Sequence, residues 1–251
     1  MKKLLLLKIL IKNFFRLNPS YAYLLISNKI QNKSKKIIKK NIFIVTSCIN
    51  VNDVFGVHIH NLKHGVETRF TESIAGLKSI RSFYKDAYII FLESSKLLPD
   101  YESEVKILVD EYYNYCEINS IYLARKHFNK GVPQFTALVK FIEENQHNYS
   151  ADIFHFLGAR YSLTANNTEN RSMLSGAYFL YYPSHKNVST RYFFFKKMHL
   201  STLATAFRKT LYCAIVGGSV EDFIQCFFSV NYSLKELGVT GVVNGVETIF
   251  E

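Results

Sequence analysis

The chain has 251 residues and a formal net charge of +11. All of that excess lies in residues 1–40, which hold eleven Lys and Arg and no Asp or Glu, whereas residues 41–251 carry equal numbers of basic and acidic side chains. A nucleic-acid-binding domain usually gathers its basic residues on one face of the folded body, so this distribution argues against nucleic acid as the partner. The remaining roughly 210 residues are enough for one sizeable α/β domain with a substantial core.

The basic arm, residues 1–40, alternates Lys with Leu, Ile and Phe. On a helical wheel, residues 1–17 place Lys8, Lys12 and Arg16 on one side and most apolar side chains on the rest. A helix of this kind binds in the headgroup plane of an anionic membrane surface. Its apolar runs are far shorter than the roughly 20 residues needed to cross a bilayer, and its lysines interrupt any signal-peptide core. A solvated tail, a helix packed on the body and a nucleic-acid contact are the alternatives.

Taken in chain order, the body alternates short apolar runs with amphipathic segments. Apolar runs predict buried strands, and apolar residues three and four apart predict helices. The predicted strands are 41–49, 87–92, 113–118, 152–157, 177–182 and 190–195. The predicted helices are 68–83, with Thr68 or Thr71 as its cap, 101–110, 132–146, 201–215 and 220–237. The alternation predicts an α/β fold, a parallel sheet with helices on both faces, as a single domain over residues 41–251.

Polar or small residues stand where three of these apolar runs stop. They are Thr46-Ser47-Cys48, Glu93-Ser94 and Gly158-Ala159-Arg160-Tyr161. Ligands of parallel sheets bind at the carboxyl ends of the strands, so we expect these residues to line a binding site. A carboxylate at such a place can hold a sugar hydroxyl or act as a base, which makes Glu93 a candidate for either role.

No D-x-D pair occurs, because the six Asp residues are isolated from one another. A site in which paired Asp carboxylates hold a divalent ion is therefore not visible. The charge of a bound diphosphate would be met by Arg, Lys or backbone N–H groups, and Arg69 and Arg160 are the best candidates, with a structural ion pair as the alternative for each. His58, His60 and His64 share a predicted loop, where histidines usually meet water. No metal ligand is assigned, and Mg²⁺ or Mn²⁺ stays open as a cofactor.

A glycine turn precedes the last predicted helix. Gly217-Gly218-Ser219 could bind an anion through free N–H groups, or could be a plain helix entry with Ser219 as the cap. Glu221, in the first turn, either favours the helix dipole or serves as a base. The chain has no G-x-G-x-x-G, P-loop or G-x-S-x-G pattern, so a dinucleotide-binding protein, a P-loop enzyme and an α/β-hydrolase have no support.

The order of these motifs resembles that of bacterial glycosyltransferases from O-antigen and capsule gene clusters. The shared pieces are a first strand ending in Thr-Ser, Glu67-Thr68-Arg69 leading a helix that contains Ser79-Ile80, IIFLESS, Asn129-Lys130-Gly131 opening a helix, LGARY, and GGSVEDFI followed by LKELGVTG. In that group the LGARY element often reads L-S-G-R-Y; here Gly158 and Ala159 take the Ser and Gly positions. The missing D-x-D departs from the commonest GT-A pattern.

The resemblance implies a GT-A-like, Rossmann-type fold and transfer of a hexose-like sugar from a nucleotide-sugar donor to a lipid-linked glycan. It implies catalytic roles for Glu221 and Glu93. The implied donor-binding residues are Thr46, Ser47, Arg69, Ser94, Lys130, Arg160 and Tyr161. With the basic arm, it implies a peripheral enzyme on the cytoplasmic face of the bacterial inner membrane. The rivals are a non-catalytic α/β protein bound to a membrane or an RNA, and another Rossmann-like transferase such as a methyltransferase.

Overall fold

The computed structural model describes most of the body of the chain. The described residues are 36–51, 65–127, 129, 131–168, 177–182, 187–196, 199–228, 231–233, 237–243 and 247–250. The amphipathic helix expected within residues 1–17 therefore lies outside the described residues, as do Lys130 and the loop histidines.

Ten strands and six α-helices are defined in these ranges. The strands are β1 Ile37–Ser47, β2 Tyr88–Glu93, β3 Glu111–Asn114, β4 Tyr149–Gly158, β5 Tyr161–Leu163, β6 Ala177–Tyr182, β7 Asn187–Phe195, β8 Asn231–Ser233, β9 Val239–Val243 and β10 Glu247–Phe250. The helices are α1 Val66–Phe83, α2 Pro99–Leu108, α3 Asn119–Arg125, α4 Gly131–Asn145, α5 Leu200–Ile215 and α6 Val220–Phe227, with a short 3-10 turn at Ala165–Thr168.

The main sheet has seven strands in the order β3-β2-β1-β4-β7-β6-β8. Strands β3, β2, β1 and β4 run parallel, whereas β4, β7 and β6 pair antiparallel. The predicted α/β fold, with a mixed or parallel sheet flanked by helices, is thus confirmed, and the sheet is mixed. A second, three-stranded sheet joins β5, β9 and β10.

The two faces of the main sheet are buried by different helices. Ile42 and Ile44 of β1 point into a core with α3, α4, α5 and α6, while Phe43 and Val45 point into a core with α1 and α2. All four side chains are fully or almost fully buried. Burial on both faces is why β1 reads as a continuous apolar run rather than an alternating one.

Strand order sets the position of a crevice at the carboxyl edge of the sheet. On one side of β1, helix α1 leads to β2 and helix α2 then leads to β3. Strand β4 lies on the other side of β1. Connections that leave in opposite directions open a gap between the ends of the two central strands, and ligands of such sheets bind there. The ends of β1 and β4 therefore define the candidate site.

Several predicted boundaries are wrong. Helix α1 begins at Val66 with Gly65 as a cap that makes no side-chain bond, so Thr68 and Thr71 lie inside the helix. The last helix ends at Phe227 rather than residue 237, because the chain turns there into strand pairing. Helix α3 was not predicted at all. Strand β1 begins at Ile37, so the last residues of the predicted basic arm belong to the sheet.

None of the helices in the described ranges combines the length and the apolar character that a bilayer span requires.

Candidate active site

The predicted strand-end residues come together at the carboxyl edge. Ser47 stands beside Glu93 in the β1–β2 pairing, and Thr46 stands beside Gly158 in the β1–β4 pairing. The backbone continues this pairing past the strands, since the Ala159 amide donates to the Thr46 carbonyl at 2.9 Å. Residues that are 112 positions apart in the sequence, as Thr46 and Gly158 are, thereby share one edge.

The segments that follow β1 and β2 are bonded to each other. The Ser94 amide and hydroxyl both donate to the Ser47 carbonyl, at 3.0 and 2.7 Å. One step further, the Asn50 amide donates to the Ser95 hydroxyl at 2.9 Å, and the Asn50 side chain donates to the Lys96 carbonyl at 2.9 Å. These hydrogen bonds between the two segments fix the backbone on one side of the crevice.

Glu93 lies at the centre of these hydrogen bonds. Its side chain is fully buried, and Oε1 accepts the amides of Ile49 and Ser95 at 3.2 and 2.8 Å and the Ser95 hydroxyl at 2.5 Å. Burial raises the pKa of the Glu93 carboxyl, and the donors from Ser95, Ser47 and Ile49 oppose that rise. Oε2 makes no hydrogen bond within the described residues. Glu93 therefore holds the loops in place, and its catalytic role stays a prediction.

Cys48 follows β1 at the same edge. Burial of the thiol, with a smaller contribution from the Glu93 charge, raises its pKa to about 11. A thiol with so high a pKa stays protonated at neutral pH and is a poor nucleophile.

Arg69 lies in the first part of α1, over the end of β1. Its Nη1 donates to the Cys48 carbonyl at 3.3 Å. Burial, and secondarily the charge of Arg160, lowers the pKa of the Arg69 guanidinium. The shared binding site expected for Arg69 and Arg160 stays a prediction.

Arg160 is held by α1 in the turn between β4 and β5. Its Nη1 lies 3.6 Å from Oε2 of Glu72, three residues after Arg69 on the same helix. A Cβ added to Gly76 would stand 2.6 Å from the Ala159 carbonyl oxygen and 2.7 Å from that of Tyr161. Only glycine allows the turn to pack this closely on the helix, so Gly76 sets the position of Arg160.

Tyr161 and Ser79 belong to the support of the site. A Cβ on Gly158 would meet the Tyr161 ring at 3.1 Å, and one on Gly241 would meet it at 2.3 Å, so the ring packs against both glycine backbones. The Ser79 hydroxyl accepts the Leu163 amide at 2.9 Å and fixes β5 on α1. The predicted contact of Tyr161 with a donor stays a prediction, since the ring already has a packing role.

Thr46 has a buried hydroxyl with no hydrogen-bond partner among the described residues. The residue is 5% exposed, and it stands at the end of β1 beside Gly158. Buried polar atoms in folded proteins are almost always hydrogen-bonded, so the Thr46 hydroxyl is a group that a water or a bound molecule can satisfy, and its predicted contact with a donor stays a prediction.

Glu221 stands at the same edge, on the face covered by α3 to α6. The Thr190 hydroxyl donates to its Oε1 at 2.8 Å and the Ser219 hydroxyl to its Oε2 at 2.8 Å. Thr190 lies on β7 beyond the Leu157–Tyr192 pair, next to the end of β4. Ser219 is the helix cap, accepting the Asp222 amide at 3.3 Å, as the sequence predicted for the glycine turn. The two hydroxyls orient the carboxylate.

The Asn-Lys-Gly motif joins two helix entries. The Asn129 side chain accepts the Gly131 amide at 2.9 Å, at the start of α4, and donates to the Gly218 carbonyl at 2.7 Å. The neighbouring His127 accepts the Asn129 amide at Nδ1, and burial lowers the pKa of its imidazole. Lys130, predicted to bind the donor, lies outside the described residues.

Two further arginines at this edge were not predicted. Arg125, at the end of α3, is 3% exposed, donates to the Cys116 carbonyl at 3.4 Å and acts on the Cys48 thiol through its charge. Arg191 of β7 donates to the Tyr182 hydroxyl at 3.0 Å. Arg125 directly follows an apolar stretch of a helix, which was the signal available in the sequence.

A search of protein-family models and a search of curated protein sequences each found no match to the chain. Among solved structures, the chain is similar to the bifunctional glycosyltransferase WbbM, at 10% identity and a TM-score of 0.49, over 82% of this chain and 40% of that one. It is similar to the glycosyltransferase GlyE of Streptococcus pneumoniae TIGR4, at 10% identity and 0.45, over 78% and 45%. It is similar to the mannosyltransferase Ktr4p of S. cerevisiae, at 8% and 0.42, over 90% and 78%. The chain spans less than half of the length of WbbM and of GlyE.

Proposed function

We propose that the chain is a GT-A-like glycosyltransferase that moves a sugar from a nucleotide-sugar donor to a lipid-linked glycan, in O-antigen or capsule assembly. The observation that carries the proposal is that two arginines lie at the carboxyl ends of β1 and β4: Arg69 donates to the Cys48 carbonyl, and Arg160 is held by Glu72, one turn along the same helix as Arg69. Guanidinium groups bind phosphate oxygens in bidentate geometry, and this crevice is where sheets of this type bind nucleotides. The motif order of the sequence supports sugar transfer over other nucleotide chemistry.

The roles divide across the edge. Arg69 and Arg160 bind the diphosphate, and the buried Thr46 hydroxyl and the hydrogen-bonded Ser47 and Ser94 backbone line the donor side. Glu221, oriented by its two hydroxyl donors, takes the proton of the acceptor hydroxyl that attacks the sugar.

Donor use is the direct test. The full chain is incubated with a panel of nucleotide sugars, and release of the nucleotide and protection against thermal unfolding are measured. We expect at least one donor to give both signals, and Arg160→Ala to weaken both. Lys78→Ala is the matched control, because Lys78 is an exposed cation on the same helix as Arg69. A chain that responds to no donor is not a glycosyltransferase, and the non-catalytic binding protein then becomes the better proposal.

The membrane role of the basic arm is proposed from its sequence. Each cation near an anionic surface contributes roughly 1 kcal/mol to binding. The test deletes residues 1–35 rather than 1–40, since β1 begins at Ile37 and a longer deletion would remove part of the central strand. We expect the deletion to abolish sedimentation with anionic vesicles while donor binding is kept. Loss of donor binding with retained vesicle binding would assign the arm to the fold.

A further inference from the structure

We propose that the diphosphate of the donor is held by the Arg69 and Arg160 guanidiniums without a divalent cation. The inference rests on the proposed function, because it names how the same site meets the charge of its donor. GT-A-like enzymes commonly use paired Asp residues and a metal ion for that purpose, so the first question is whether the residues present here fit a metal.

The carboxylates of the described edge do not fit a shared cation. Glu72 Oε2 lies 3.6 Å from Arg160, and each oxygen of Glu221 accepts a hydroxyl. Glu93 is buried, with three hydrogen bonds on Oε1 and none on Oε2 within the described residues, so it offers a cation one open carboxylate oxygen and not a shared pair. Mg²⁺ demands near-octahedral oxygen ligands, with one or two carboxylates that are free to coordinate. Within the ranges that the structure describes, no group of three His, Cys, Asp or Glu could hold a metal ion.

The positive charge of the edge is already concentrated by the fold. Arg160 is aimed by Glu72 and by the close packing of its turn on Gly76, and Arg69 is anchored on the Cys48 carbonyl. Glu72, which faces Arg160, lies one helical turn after Arg69, so both guanidiniums lie near the same part of α1. Both arginines are partly buried, with 24% of the Arg160 side chain exposed, so an anion placed between them is attracted more strongly than at a fully exposed site.

The pair also suits the chemistry of the transfer. The bond between the anomeric carbon and the β-phosphate oxygen breaks, and its electron pair leaves with the nucleoside diphosphate. The acceptor oxygen bonds to the anomeric carbon and gives its proton to the base. The negative charge that develops on the diphosphate is met by guanidinium N–H groups, whose fork matches phosphate oxygens.

The test is titration of the full chain with UDP and with GDP by calorimetry, in EDTA, in MgCl₂ and in MnCl₂. We expect one nucleotide to bind with an affinity that the metal changes by no more than about twofold. Arg69→Ala and Arg160→Ala should each weaken that binding by about 10- to 100-fold, as expected for a lost charge-assisted hydrogen bond. Arg160→Lys should recover part of the loss, because it restores charge without the bidentate geometry.

Controls and outcomes separate the two proposals. Lys78→Ala should bind like the unmodified chain, and the melting temperature of each variant shows whether it is folded. Binding that requires Mg²⁺ or Mn²⁺ overturns the metal-free inference and leaves the proposed function standing. Metal-independent binding whose affinity is the same in the unmodified chain, in both alanine variants and in the charge-preserving variants Arg69→Lys and Arg160→Lys also overturns it. No binding of either nucleotide under any condition overturns both proposals.

Discussion

The two ends of the main sheet handle buried polar groups differently. At the amino edge, Glu111 accepts hydroxyl hydrogen bonds from Tyr88 at 2.9 Å, Tyr113 at 2.7 Å and Tyr149 at 2.6 Å, and the last two hydroxyls lie 2.9 Å apart. At the carboxyl edge, the Thr46 hydroxyl and one oxygen of Glu93 are buried without a hydrogen bond among the described residues.

We therefore expect the amino edge to contribute to the stability of the fold and the carboxyl edge to carry the proposed binding site. Burial, together with the bonds to Glu111, raises the pKa of the Tyr88 and Tyr149 phenols, which therefore remain neutral donors to one carboxylate. That edge is closed by its own side chains. The carboxyl edge keeps polar atoms and guanidiniums that a bound molecule can satisfy, and native proteins retain such atoms mainly where they bind or react.

The largest effect should come from Glu221, the proposed base at the carboxyl edge. Glu221→Gln removes the proton acceptor but keeps an oxygen for a hydroxyl donor, so we expect turnover to fall about 10²- to 10⁴-fold while the fold persists. Steady-state kinetics with the donor identified by the panel measure this. Asp222→Asn, which removes the neighbouring charge in the same helical turn, is the control and should retain turnover. Equal turnover in Glu221→Gln and the unmodified chain would place the base elsewhere.

A substitution at the amino edge should change the free energy of unfolding and leave nucleotide affinity unchanged. Glu111→Ala leaves three tyrosine hydroxyls without their shared acceptor, which should lower the free energy of unfolding by about 1–3 kcal/mol. Urea denaturation measures the loss, and Glu104→Ala, at an exposed position of α2, should change it little. Nucleotide affinity below the unfolding transition should be unchanged; a parallel fall in affinity would show that the two edges are coupled.

Glu93 should make stability depend on pH. Its pKa is raised above the ordinary value of 4.5 in the folded protein, so the folded state keeps a proton that the unfolded chain releases. The stabilisation is complete below that ordinary value and is lost as pH rises through the raised pKa, with a slope of at most about 1.4 kcal/mol per pH unit. Unfolding free energies of Glu93→Gln and the unmodified chain, measured from acidic to neutral pH, should diverge with this sign. Parallel curves would contradict it.

The smallest effect should come from Thr46. Thr46→Val removes a buried hydroxyl that has no partner, so stability should stay equal or rise by up to about 1 kcal/mol, while nucleotide affinity falls about fivefold. Thr210→Val is the contrast, because the Thr210 hydroxyl donates to the Ala206 carbonyl at 2.9 Å and its loss should destabilise the fold. Unchanged affinity in Thr46→Val would remove Thr46 from the site.

Much of the sheet could be predicted because its central strands are buried on both faces. The predicted strand 87–92 is shifted by one residue from Tyr88–Glu93, and the predicted strand at 177–182 is observed as Ala177–Tyr182. The helix predicted over 220–237 failed because its apolar spacing continues past Phe227, where pairing of β8 with β6 decides the conformation instead. Tertiary pairing of this kind overrides local pattern.

Residues of the candidate site could be predicted from the sequence only where the pairing of parallel strands is enough to bring them together. The grouping of Thr46, Ser47 and Glu93 follows from strands that end at one edge. The contact of Glu221 with Thr190 depends on the antiparallel return of β7, and the place of Arg125 depends on a helix too short to show a clear period. Neither could be obtained from spacing along the chain.

Strand β1 has a mechanical consequence for the proposed membrane role. It begins at Ile37, within the last residues of the basic arm, and ends at Ser47 at the carboxyl edge, an 11-residue strand. At about 3.3 Å per residue the strand is roughly 35 Å long, and its two ends lie that far apart, one at the arm and the other at the proposed donor site. If the arm binds a membrane as proposed, a rigid central strand of the sheet connects the membrane anchor directly to the crevice, with no intervening hinge within β1.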